Sequence, residues 1–134
     1  MFNTLRWILV VPATLAATAG AYFGLVLVWN LVRVINIVPQ DGLVDLALAN
    51  LGVNGASSAA GVLAGTKTAP RHRRAAAIMV AILLGAVGLA SLLVGAAFRD
   101  SLRMSLGWHV FSSIAWVVGA IAAALALSKQ YERD

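Results

Sequence analysis

The chain contains no cysteine and, among its 134 residues, only five acidic residues and three prolines. Without cysteine there can be no disulfide bonds, thiolate metal sites or thiol redox chemistry. The sequence also contains no glycine-rich phosphate loop, no His-Glu-x-x-His helix and no Gly-x-Ser-x-Gly elbow. We therefore expect a protein that is not an enzyme and that carries no cofactor or metal ion.

Charge of either sign is scarce. Charged residues make up 11% of the chain and hydrophobic residues 61%, whereas soluble domains have about a quarter charged and about 45–50% apolar residues. A chain of this length has too little interior to hide so much apolar side chain from water. The composition excludes a disordered chain and predicts an integral membrane protein.

The few charges leave four long uncharged windows, at residues 7–32, 46–66, 75–98 and 104–128, of 26, 21, 24 and 25 residues. About 20 apolar residues in a helix cross the hydrocarbon core, so each window can span a membrane once. The windows lack the period-2 alternation of barrel strands. The sequence predicts an all-α fold, a single membrane domain over residues 1–134 built as an antiparallel four-helix bundle.

Orientation follows from the distribution of lysine and arginine, because cytoplasmic loops keep the excess of positive charge. With four spans, both termini and the second connection lie on one side with seven basic residues: Arg6, Lys67, Arg71, Arg73, Arg74, Lys129 and Arg133. The other side has Arg33, Arg99 and Arg103. Both termini should therefore be cytoplasmic.

The basic loop between the second and third windows contains Lys67, Arg71, Arg73 and Arg74. Clustered positive charge can attract nucleic acid, but a short cluster between two spanning helices is the topogenic signal described above, and it also meets anionic headgroups. We therefore expect lipid as a partner and no nucleic acid.

Tryptophan placement agrees with the spans, since Trp favours the headgroup level. Trp7 and Trp29 lie near the two ends of the first window, about 33 Å apart on an ideal helix. Trp116 lies deep in the fourth window, where we expect it to pack against another helix or lipid.

The second window is only weakly hydrophobic. Asn50, Asn54, Ser57 and Gly61 follow the i, i+4, i+7, i+11 spacing of one helical face. A face of this composition should contact protein or water rather than lipid. It is either a helix-packing face, where small residues allow close approach and Asn and Ser bond across the interface, or the wall of a pore.

Packing is the favoured interpretation, because small residues recur at every fourth position elsewhere, as in Ala16, Gly20 and Gly24. We therefore expect a structural or accessory subunit of a membrane complex that binds other subunits or its own copies through this face. The alternative is a small oligomeric channel or transporter for an ion or a neutral solute. The alanine- and glycine-rich composition indicates a GC-rich bacterial genome and hence a bacterial inner membrane.

Two ionisable residues near the predicted outer side invite a functional interpretation. His109 is the only ionisable residue inside a window, and it could ligate a haem or chlorophyll-type pigment, although a single histidine at that depth is more often an interfacial side chain. Asp45 precedes the second window, where it complements the helix dipole or forms the mouth of a cation path.

In the connections, Pro39 and Gly42 predict a turn, and Asp100 either pairs with Arg103 or caps the fourth helix.

Overall fold

A computed structural model describes residues 2–35, 42–98 and 106–131 of the chain. Every regular element in these ranges is helical, and four helices are long and apolar enough to cross a membrane. The prediction of an all-helical protein with four apolar spans is confirmed. Several predicted features lie outside the described residues. They are the turn at Pro39, the pairing of Asp100 with Arg103, and the positions of Arg99 and Arg133.

The first span is α1 (Phe2–Val34), and the third and fourth are α4 (Arg73–Ala97) and α5 (Leu106–Gln130). The second span is built from three pieces: α2 (Leu43–Leu48), a π-helical segment (Ala49–Gly55) and α3 (Ala56–Thr68). Gly42 lies in a bend before α2. His72, with a positive φ of 51°, sits immediately before α4, and histidine is among the residues that tolerate this left-handed conformation.

Pro12 lies inside α1, not near its start. The helix begins before the apolar window, because Phe2 to Arg6 are also helical. Its 33 residues span about 50 Å, more than the thickness of a hydrocarbon core. Thr14 donates to the carbonyl of Val10 at 2.8 Å, and Thr18 donates to the carbonyl of Thr14 at 2.8 Å, so both hydroxyls are satisfied within their own helix.

The second span lies at the centre of the bundle. Within its most apolar window 47% of the residues are buried, against 17–28% in the other three spans. α3 packs against α1, α4 and α5, and the π-helical segment packs against α1 and α5. The least hydrophobic helix is thus the one that the rest of the chain shields most from lipid.

Glycines bring the second span close to its neighbours. A Cβ at Gly61 would overlap the Thr18 hydroxyl, and one at Gly119 of α5 would overlap the carbonyl oxygen of Gly55. The expectation that Ala16, Gly20 and Gly24 pack within the bundle is wrong. These residues are exposed, and nothing lies within 4 Å of a Cβ built on either glycine, because α1 contacts α3 through the face that carries Thr14 and Thr18.

The two halves of the bundle differ in their interiors. We call the end near Arg33 and Asp45 the Arg33 end, and the end near the basic loop the Arg73 end. The apolar core occupies the half toward the Arg73 end, and its largest fully buried side chains are Leu84 and Val62. Toward the Arg33 end, asparagine, serine and tryptophan side chains replace this core.

Candidate functional site

The polar interior begins in the π-helical segment. A π-helix pairs residues i and i+5, so its turns hold more residues than an α-helix, and such segments often occur at functional sites. Here Asn50 is 1% exposed, and its Oδ1 accepts hydrogen bonds from Asn54 Nδ2 at 3.1 Å and from Ser112 Oγ of α5 at 2.5 Å. Two side chains of the second span are thereby joined to α5.

The predicted polar face does not meet a single neighbour. Asn50 and Asn54 lie toward α5, whereas Gly61 lies against Thr18 of α1. Ser57 is fully buried and donates to the carbonyl of Val53 in its own helix. The change of helix type between residues 49 and 55 breaks the 3.6-residue period on which the prediction depended.

Ser58, which the spacing did not single out, makes the direct hydrogen bond between α3 and α5. It is fully buried, and its Oγ lies 2.8 Å from the carbonyl oxygen of Trp116 and 2.9 Å from that of Gly55. Close approach of the two helices at Gly55 and Gly119 brings the hydroxyl within reach. A serine hydroxyl beside small residues is a recurrent signal of helix packing in membranes.

A polar cleft opens beside this cluster. One cavity of about 390 Å³ and a second of about 160 Å³ share Asn54, Ser91 and Ser112 as lining residues. The larger cavity extends toward the Arg33 end, and the smaller one reaches Trp116. The remaining lining residues that can hydrogen-bond through their side chains are Tyr22, Trp29, Asn30, Arg33, Trp108 and Ser113. We call the two cavities together the polar cleft.

The polar cleft reaches deep into the spanning helices. Trp116 lies ten residues into α5, about 15 Å from its first residue, and half the hydrocarbon core is also about 15 Å thick. Beyond that depth the apolar core around Val62 and Leu84 closes the bundle. The cleft therefore lies in the Arg33 half of the bundle, and the buried apolar core lies in the Arg73 half.

Two tryptophans that line the polar cleft have indole N–H groups without a hydrogen-bond acceptor among the described residues. The Nε1 atoms of Trp29 and Trp116 are both buried. The adjoining Cδ1 of Trp116 faces Gly88, which lines the smaller cavity. An indole N–H is a donor only, and leaving such a group unpaired costs about 1–3 kcal/mol. Because both nitrogens are buried, a solute in the cleft meets the exposed polar groups of the wall and not these two donors.

An ion pair lies at the Arg33 end of the polar cleft. Arg33 Nε donates to Asp45 Oδ1 at 3.2 Å, and its Nη2 donates to Oδ2, so both carboxylate oxygens are engaged. Asp45 is in the first turn of α2, as expected for dipole complementation. The sequence pattern did not predict the pair, which depends on the end of α1 approaching the start of α2. The paired charges leave the wall of the cleft close to neutral.

His109 does not line the polar cleft. Its ring lies against Gly95 of α4, where a Cβ would be 2.9 Å from Cγ. Its Nε2 is buried and has no hydrogen-bond partner among the described residues. No group of three His, Cys, Asp or Glu side chains that could hold a metal ion occurs in the described parts of the chain.

The basic loop is fully at the surface of the Arg73 end. Lys67, Arg71, Arg73 and Arg74 are all exposed. The guanidinium carbon of Arg73 lies 5.6 Å from the centroid of the Tyr131 ring, at the end of α5, a distance typical of a cation–π contact. The loop and the C-terminal end of α5 therefore form one basic surface.

No protein-family model, no curated protein and no solved structure matches the chain. The polar cleft offers amide and hydroxyl groups at membrane depth, and its described lining includes one guanidinium and no carboxylate. Such a wall can hydrogen-bond a solute.

Proposed function

We propose that the four helices form an antiparallel bundle in a bacterial inner membrane, with both termini in the cytoplasm. Gly95 of α4 packs against His109 of α5, and Gly88 packs against Trp116, so later residues of α5 meet earlier residues of α4. The four basic residues of the loop lie at the Arg73 end, which supports that end as cytoplasmic. The polar cleft then faces the outside.

We propose that the protein is a small transporter that binds a polar solute in the polar cleft and carries no catalytic activity. The observation that carries this proposal is the cleft itself, a polar-lined cavity about 15 Å deep in helices that otherwise suit lipid. The π-helical segment, a type that often occurs at functional sites, lines the larger cavity through Ala49, Val53 and Asn54. The apolar core supports a transporter rather than an open channel, because it blocks the Arg73 half.

The solute is best described as small and uncharged. Asp45 neutralises Arg33, and no other charged side chain is among the described lining residues. An unpaired ion in a neutral wall of low dielectric would lose several kcal/mol of hydration. A neutral solute can instead hydrogen-bond the amide and hydroxyl groups of Asn54, Ser91 and Ser112, which line both cavities.

Solute flux into liposomes tests the proposal. Purified protein is reconstituted, and the uptake of glycerol, urea and potassium ions is compared with that of protein-free vesicles. We expect faster equilibration of at least one neutral solute. Ser91→Leu should abolish the difference, since Ser91 is exposed to the cleft and makes no side-chain hydrogen bond to the described residues. Ala90→Leu, at the neighbouring exposed position outside the cleft, is the matched control.

Two outcomes would contradict the transporter proposal. Uptake of every probe could equal that of protein-free liposomes, or Ser91→Leu could conduct as well as Ala90→Leu. Selective passage of potassium would leave the cleft as the pathway but would overturn the neutral solute.

An accessory subunit is the second candidate, and one observation favours it. The polar face of the second span packs against the chain's own helices, so a partner would bind another surface. The exposed row of Ala16, Gly20 and Gly24 offers one, because small residues allow a second helix to approach closely. Loss of a copurifying subunit in Gly20→Leu would support this role.

A further inference from the structure

An apolar groove separates α1 from α4 in the half near the Arg73 end. Trp7, Val10 and Val11 line it from α1, and Ala76, Leu83 and Ala86 are among the residues that line it from α4. Its volume is about 540 Å³. A second apolar cavity of about 370 Å³ lies farther along the same two helices, beside Phe23 and Val87.

We infer that this apolar groove is a binding site for one acyl chain of an anionic phospholipid whose headgroup lies on the basic loop. This inference is independent of the proposed transport function, because none of the residues that we have named as lining the groove belongs to the polar cleft. A basic loop attracts any anionic membrane surface, whereas the apolar groove would hold one acyl chain of a single bound phospholipid.

The length of the apolar groove fits an acyl chain. From Ala76 to Ala86 the groove follows ten residues of α4, about 15 Å on an ideal helix. One leaflet contributes half of a hydrocarbon core of about 30 Å. An acyl chain that starts at the headgroup level of the Arg73 end therefore reaches the end of the groove at the middle of the bilayer.

Charge at the mouth of the apolar groove selects the headgroup. Ala76 is less than one helical turn from Arg73, and Trp7 follows the exposed Arg6. Arg71 is exposed in the same loop. Within the residues that the structure describes, no acidic residue occurs at this end; Glu132 and Asp134 follow Tyr131 in the sequence and lie outside them. Each basic residue near the surface attracts an anionic lipid by about 1 kcal/mol, and guanidinium groups bind phosphate in a bidentate fork. A zwitterionic lipid gains less from the same groups.

Native mass spectrometry with two lipids of identical chains tests the site. Detergent-solubilised protein is titrated with dioleoyl phosphatidylglycerol or dioleoyl phosphatidylcholine. We expect preferential retention of phosphatidylglycerol, lowered about fivefold by Arg71→Gln, which removes one charge. Ala86→Phe should fill the groove and reduce retention of both lipids. Ala90→Phe is the matched control, one turn farther along α4 and also exposed.

The outcomes separate the lipid site from other occupants. Equal retention of the two lipids would overturn the anionic selection, and unchanged retention in Ala86→Phe would overturn the groove as the place. A dimer that Ala86→Phe dissociates without changing lipid retention would assign the groove to a second copy of the chain. If Ala86→Phe does not fold, quenching of tryptophan fluorescence decides: brominated phosphatidylglycerol must quench the wild-type protein more strongly than brominated phosphatidylcholine, and Trp7→Phe must remove this difference.

Discussion

At the scale of single residues, the Arg33–Asp45 ion pair shows how this chain places charge next to a membrane. The Asp45 side chain is 8% exposed, whereas the Arg33 side chain is 40% exposed. The carboxylate is thus the desolvated partner. The guanidinium offsets its charge and is itself partly hydrated. An aspartate carboxylate buried this deeply would be costly alone, and the guanidinium beside it compensates the buried charge.

Asp45→Asn should destabilise the protein by about 1–2 kcal/mol. Removing one partner of a fully buried pair costs about 3–5 kcal/mol, and the exposure of Arg33 reduces that figure because water screens the remaining charge. The midpoint of unfolding in a detergent titration measures the change. Combining Asp45→Asn with Arg33→Gln should recover part of the loss. Additive losses in the double variant would mean that the two side chains are not coupled.

At the scale of secondary-structure elements, the π-helical segment explains why the sequence predicted some contacts of the second span and not others. The composition of the second window correctly marked Asn50 and Asn54 as side chains to be kept from lipid. The prediction assumed 3.6 residues per turn throughout the second window, but seven of its residues form a π-helix. It therefore placed Gly61 on the same face as Asn50. The sequence marked Trp29 only as a headgroup-level residue and did not place Trp29, Ser58 or Ser91 in a site, because their roles depend on which helices meet them.

The contact of the π-helical segment with α5 predicts opposite effects for two glycine substitutions. Gly119→Ala would drive a Cβ into the Gly55 carbonyl, which is backbone and cannot move aside, and overpacking of this kind costs about 1–3 kcal/mol. Gly85→Ala on α4 has nothing within 4 Å of its Cβ. Since alanine stabilises a helix interior by about 0.5–1 kcal/mol over glycine, this control should be neutral or stabilising.

Thermal unfolding of both glycine variants in one detergent measures the difference. If Gly119→Ala were as stable as Gly85→Ala, α5 could not lie against the π-helical segment, and the shared wall of the polar cleft at Asn54 and Ser112 would be wrong.

At the scale of the whole molecule, the spacing of the charged residues was enough to predict four apolar helices, because an uncharged window of 20 or more residues has few other solutions in this composition. The division of the interior into an apolar half and a polar half was not predictable. It depends on the contacts of Leu84 with α3 and of Ser112 with Asn50, and neither neighbour is near in sequence. The sequences of the first, third and fourth windows do not show which parts of them will contact polar side chains in the bundle.

The absence of cysteine makes the topology directly testable, since a single introduced thiol is the only one in the chain. Gly42→Cys places it at the Arg33 end, and Gln130→Cys places it at the Arg73 end; both positions are exposed. A membrane-impermeant maleimide should label Gly42→Cys in intact spheroplasts and Gln130→Cys only in inverted vesicles, because the basic end stays in the cytoplasm. The reverse pattern would put the polar cleft on the cytoplasmic side. Labelling of both variants from the same side would exclude an odd number of spans between residues 42 and 130, and with it the four-span bundle.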